Sequence, residues 1–98
     1  MNKTVGNFEI LVTDSHIKSK PNWRRVVITH LPTGERKTDA AMPIKSDAEY
    51  LDLFKSVLRM SVEESGSEPA FVQKKFPKLV AKNAQIAADA REALASLS

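Results

Sequence analysis

The run Trp23-Arg24-Arg25-Val26-Val27-Ile28-Thr29-His30-Leu31-Pro32-Thr33-Gly34 leaves the chain few options, because a β-branched stretch runs straight into a turn. Pro32 presets the first central position of a type I turn, and Gly34 can take the left-handed conformation that closes a short loop with a bulge. The polar, Thr-containing run Glu35-Arg36-Lys37-Thr38-Asp39 supplies the returning strand. Everything before this hairpin reads as a partner strand, and everything after it reads as helix.

Upstream, residues 1–6 read as a loose start. From residue 7, Phe8, Ile10 and Val12 alternate with Glu9, Leu11 and Thr13, the period-2 pattern of a strand with one face buried. Residues 14–22 form a polar loop ending at Pro21 and Asn22. In the strand that follows, Val26 and Ile28 share a face with Arg24 and His30, while Trp23, Val27 and Leu31 share the other with Arg25 and Thr29. Two partly apolar faces mark the central strand of three. Residues 35–41 carry few large apolar groups and suit a charged edge.

Ser46-Asp47-Ala48-Glu49 is a capping box, in which the Ser46 hydroxyl accepts from the Glu49 amide and the Glu49 carboxylate reaches back. Tyr50, Leu53, Phe54, Val57, Leu58 and Ser61 then recur at helical spacing and give one stripe to cover the sheet. The helix ends near Ser65-Gly66. Ser67 is expected to cap a short second helix with Pro69 in its first turn, closing at Pro77. Pro77 opens a last helix on which Leu79, Asn83, Ile86, Ala90, Ala93 or Leu94, and Leu97 form a seam. Alanines bury little area, so this helix is expected to project or to be held by a partner chain. The expected fold class is α+β in a single domain. It comprises a three-stranded antiparallel sheet over 7–41, a capped helix over 46–65, and a helical part over 67–98 made of a short helix and a long Ala-rich one.

Composition narrows the chemistry. Without cysteine there can be no disulfide, thiolate metal site or Cys nucleophile, and His16 and His30 alone are too few for a histidine-built metal site. Neither histidine has a Ser or Cys partner in a recognisable motif, the three glycines are scattered, and no phosphate loop is present. These features predict a non-enzymatic protein without a cofactor. No apolar run suits a membrane span or signal-peptide core, so a cytoplasmic location is expected.

Charge is uneven. Residues 1–45 hold eight Lys/Arg against four Asp/Glu, and residues 46–98 hold seven against eight. Two basic groups stand out. Lys18, Lys20, Arg24, Arg25, Arg36 and Lys37 lie on the loop and hairpin, where a sheet could meet a phosphate backbone. Lys74, Lys75, Lys78 and Lys82 would form a ridge on the second and third helices, suited to an acidic protein surface or to nucleic acid. Either group could equally be a solvated surface. With Phe71 as an anchor and Leu94 and Leu97 on the terminal seam, the second group is the candidate partner-binding set. The Ser65–Phe71 stretch contains the Glu68–Pro69 bond, and it reads as an ordinary helix linker, a recognition loop, or a substrate for a host prolyl isomerase at Pro69.

In length, lack of cysteine, basic character and the Ser67-Glu68-Pro69 linker, the chain resembles the anti-RecBCD proteins of P22-type lambdoid phages. The resemblance implies a phage protein that binds the RecC part of a host recombination nuclease, a large complex, and alters how it processes DNA ends. The alternative is a small nucleic-acid-binding module using the basic hairpin.

Overall fold

The computed structural model describes residues 1–97. Four antiparallel strands, β1 (Asn2–Val5), β2 (Phe8–Asp14), β3 (Arg24–His30) and β4 (Glu35–Met42), stand side by side in chain order. Helices α1 (Asp47–Glu64), α2 (Ala70–Lys75) and α3 (Pro77–Leu97) follow. The α+β order of elements matches expectation, with one strand more. Residues 1–6 are not loose. Gly6, at φ +56°, and Asn7 make a tight turn that sets buried Val5 opposite Phe8. The Met1 amine donates to the Val12 carbonyl, and the Val12 amide donates to Met1, so the ladder runs to the first residue.

The main hairpin forms as its sequence predicts. Gly34 takes φ +71° and its amide donates to the His30 carbonyl at 2.8 Å. Ile28 pairs with Thr38 but Thr29 pairs with Arg36, so Lys37 is the additional residue of a β-bulge. The rows Phe8–His30, Ile10–Ile28 and Val12–Val26 place six buried side chains on one face of the sheet. The opposite face carries Glu9, Leu11, Thr13, Arg25, Val27 and Thr29, none of them fully buried.

Helix α1 starts at Ser46, whose hydroxyl accepts from the Glu49 amide at 3.3 Å. The Glu49 carboxylate accepts from Lys45 rather than from Ser46, one residue further back than a strict capping box. Tyr50, Phe54, Val57, Leu58 and Ser61 are buried, as the stripe predicts. Tyr50 donates its hydroxyl to the Ile44 carbonyl, and Ser61 donates to Val57 one turn back, so neither polar tip is orphaned. Gly66, at φ +84°, ends the helix, and the Ser67 hydroxyl donates to the Glu64 carbonyl. Ser67 therefore closes α1 instead of capping α2, whose N-cap is Pro69.

The terminal helix departs most from expectation. It neither projects nor waits for a partner, because Ile86, Ala87, Ala90 and Ala93 are buried and α3 lies along α1 and over β1 and β2. Small side chains bury little area each, but they let a helix come close to its neighbours, and packing distance is set by the residues at the contact. A polar tie fixes the seat. Fully buried His30 lies 2.7 Å through Nε2 from Asp89 of α3 and 2.8 Å through Nδ1 from the Thr33 hydroxyl, with its ring 5.0 Å from Phe8. Leu94 and Leu97 are half-buried against the same core.

If alanine is needed for close approach, enlarging it must cost stability. Ala90→Leu, at a position with no exposure, is expected to destabilise the domain by about 1–3 kcal/mol, read as a lower urea midpoint. An unchanged midpoint would mean that the α1–α3 seam has room to spare.

Candidate protein-docking site

Six residues are too few to bury a face, and α2 buries none of its own. It is held at its two ends. The Glu68 carboxylate accepts from the Gly66 amide at 3.0 Å and from Asn83 Nδ2 of α3 at 2.9 Å, while the Glu68 carbonyl accepts from the Gln73 side chain at 2.9 Å. The Asn83 hydrogen bond, with those from the backbone, holds the Glu68 carboxyl below its ordinary pKa. At the other end the Phe76 amide donates to Val72 and its carbonyl accepts from Leu79 and Val80, turning the chain directly into α3.

The elbow so formed carries its apolar side chains outward. Phe71 is 62% exposed, Phe76 53% and Leu79 44%. Large apolar groups singly at a surface need no explanation, but three within nine residues of one elbow do. Lys74 and Lys75 follow Phe71 by three and four positions, the spacing that shares a helix face. Lys74, Lys75 and Lys78 are exposed, with no carboxylate in ion-pair reach among the described residues. Lys82 differs, since it is half-buried and its ammonium lies 3.5 Å from Glu35. Phe71, Lys74 and Lys75 therefore share α2, with Lys78 in the first turn of α3 beyond the break at Phe76, whereas Leu94 and Leu97 sit elsewhere, against the core. Phe76 and Leu79 belong with the elbow, although helical spacing put Leu79 on the terminal seam. The signal was available: Phe71-x-x-Lys74-Lys75-Phe76 lies between Pro69 and Pro77, a segment too short to hide two aromatics.

The hairpin cations have a different fate. Arg25 grips Asp39 with two hydrogen bonds of 2.9 Å, and Arg36 adds a third to the same carboxylate at 2.9 Å. Hydrogen bonding to Arg25, backed by Arg36, pulls Asp39 from its ordinary pKa of 3.8 to about 2 and raises Arg25. Lys37, with its side chain 12% exposed, lies between Glu35 at 3.3 Å and Glu64 of α1 at 3.1 Å. Burial works against the charge on Lys37, but the two carboxylates outweigh it and the net shift is upward. Burial likewise pushes Glu35 up, yet Lys37 and Lys82 bring it below the ordinary range. Arg24 donates to the Pro21 and Trp23 carbonyls and lies 3.6 Å from Asp14, and Lys20 sits 3.9 Å over the Trp23 ring. Lys18 stands in the same loop, exposed.

Thr33, His30 and Asp89 stand in the order of a nucleophile, base and orienting carboxylate. The imidazole is fully buried, however, and the two nearest turn amides are engaged: Gly34 donates to the His30 carbonyl and Glu35 to the Thr33 hydroxyl. The trio joins the hairpin turn, β3 and α3 through one imidazole. Among the described residues no group of three His, Asp or Glu is placed to hold a metal ion, and no helix is long and apolar enough to cross a membrane. Pro69 is exposed at the head of α2, and its peptide bond is trans. Protein-family models, curated proteins and solved structures give no match to the chain.

A carboxyl group whose folded pKa lies below its unfolded value stabilises the fold above the unfolded value and ceases to do so as pH falls through the folded one. For Asp39 that window runs from about 4 down to about 2. In Asp39→Asn the fall in Tm across this window is expected to be shallower than in the wild type. Parallel falls would remove the Arg25–Asp39–Arg36 cluster from the forces holding β3 to β4.

Proposed function

We propose that this chain is a non-enzymatic protein-binding module that docks through the α2–α3 elbow onto a larger host protein and modulates it sterically. The observation that carries this reading is the exposed set Phe71, Phe76 and Leu79, with lysines that have no ion-pair partner among the described residues, on α2 and the first turn of α3, where no side chain is buried. Aromatic side chains, phenylalanine among them, are enriched at the cores of protein interfaces. Each Phe leaves of the order of 100 Å² for a partner to cover, worth about 2–3 kcal/mol at ~25 cal/mol per Å². Following the resemblance to anti-RecBCD phage proteins, the host protein is the RecC part of a recombination nuclease, and the role is to redirect DNA-end processing during infection.

The nucleic-acid reading of the hairpin is less well supported. Four of its six cations, Arg24, Arg25, Arg36 and Lys37, have internal carboxylate partners, and a phosphate would have to displace them. Binding through phosphates would also fall steeply with salt.

The test is capture of partners from bacterial lysate on the tagged chain, with and without nuclease, followed by mass spectrometry. RecC is expected to survive nuclease treatment and moderate salt, and to be lost with Phe71→Ala plus Phe76→Ala, which should leave the fold intact. Loss of every partner on nuclease treatment would instead favour nucleic-acid binding.

A further inference from the structure

We infer that the elbow takes an acidic protein surface whose carboxylates surround apolar sockets. This rests on the docking reading and adds the chemistry of the partner. From Pro69 to Ala88 the chain has four lysines and no Asp or Glu, a run of twenty residues with charge of one sign. The nearest carboxylate, Glu68, is occupied by Asn83 and the Gly66 amide. Among the described residues, Lys82 alone of the four lysines has an ion-pair partner, and that partner is on the sheet. Lys74, Lys75 and Lys78 thus leave their positive charge exposed in the same nine-residue stretch as Phe71, Phe76 and Leu79. Complementary potential guides association and rejects wrong partners, while buried aromatics hold the complex.

Two other anionic partners fit less well. A single nucleic-acid strand needs a basic track along its backbone with stacking rings in series. Here three lysines cluster on one short elbow, and Leu79 cannot stack a base. A membrane surface needs an amphipathic helix with a free apolar face, and here α2 offers one aromatic while the apolar side chains Ile86, Leu94 and Leu97 of α3 are packed in or against the core.

The experiment is an NMR titration of the isotope-labelled full chain with three synthetic probes. The first is a sixteen-residue Glu/Leu/Phe peptide with its apolar residues at helical spacing, the second a Glu/Ser peptide of equal charge, and the third a sixteen-nucleotide oligo-dT. Saturable shifts confined to residues 70–82 are expected with the apolar acidic peptide. They should weaken about tenfold in K74E/K75E/K78E, from three surface charge pairs each of modest value. Because that variant could fail for structural reasons, a Lys-for-Glu version of the peptide is added, which should bind K74E/K75E/K78E and not the wild type. Equal binding of the Glu/Ser peptide or of oligo-dT, or no shift with any probe, would overturn the inference. If the acidic peptide fails while a captured host protein still depends on Phe71 and Phe76, the docking site stands and only its acidic partner class falls. If neither depends on those residues, both fall.

Discussion

The structure depends on how closely α3 can lie against the rest of the domain. A sheet of four strands with one apolar face needs a cover, and α1 alone is placed over the β4 side. The cover over β1 and β2 is α3, seated by Ile86, Ala87, Ala90 and Ala93. Close approach through alanine has little tolerance for sliding, and the buried His30–Asp89 contact at 2.7 Å fixes the register. A buried polar pair contributes modest net stability when made and costs more when broken, so it serves better to specify one arrangement than to strengthen it. Thr33 extends the same tie to the tip of the hairpin, linking turn, strand and helix in one network.

Seating α3 in this way decides which charges remain for other molecules. On the sheet, Asp39 gathers Arg25 and Arg36, and Glu35 and Glu64 hold Lys37 at the bulge, where an inward-turned lysine also marks a free edge strand. These cations belong to the architecture. Beyond Glu68 the pattern reverses, because the segment that crosses from α1 to α3 has no acidic residues to answer its lysines. Glu68 fastens that segment at Asn83 without covering its apolar side chains. The Glu68–Asn83 hydrogen bond fixes where the segment joins α3 and so limits the ordering a partner must impose on binding.

Much of the fold was legible because local signals agreed with one another. The β-branched run, Pro32 and Gly34 all demanded a hairpin, and the Ser46 cap and the Tyr50–Ser61 stripe demanded an amphipathic helix. The first strand was missed although Val5-Gly6-Asn7-Phe8 is a two-residue hairpin turn, because the polar residues Asn2, Lys3 and Thr4 before it gave no apolar periodicity. The seating of α3 was hidden for a different reason. Alanine's small area says nothing of the depth to which it lets a helix sink, and that depth depends on the surface it meets. His30 was legible as a strand residue, but its partner lies fifty-nine positions away on another element. The elbow was half legible: Phe71 and its lysines stood out in the sequence and Phe76 could have been added from the shortness of its segment, while the exposure of Leu79 depended on how the first turn of α3 is placed.

The proposed docking places recognition on a segment whose helix α2 buries no side chain of its own, while the Ala-rich helix is part of the core itself. Native-state hydrogen exchange measures both halves at once, since it separates amides that open locally from those that open only with the whole domain. Amides from Ile86 to Ala93 should exchange with Ile10, Val26 and Ile28 at the rate of global unfolding, and those of α2 should exchange orders of magnitude faster. An α2 as protected as the sheet, or an α3 that exchanges as freely as α2, would contradict the claim.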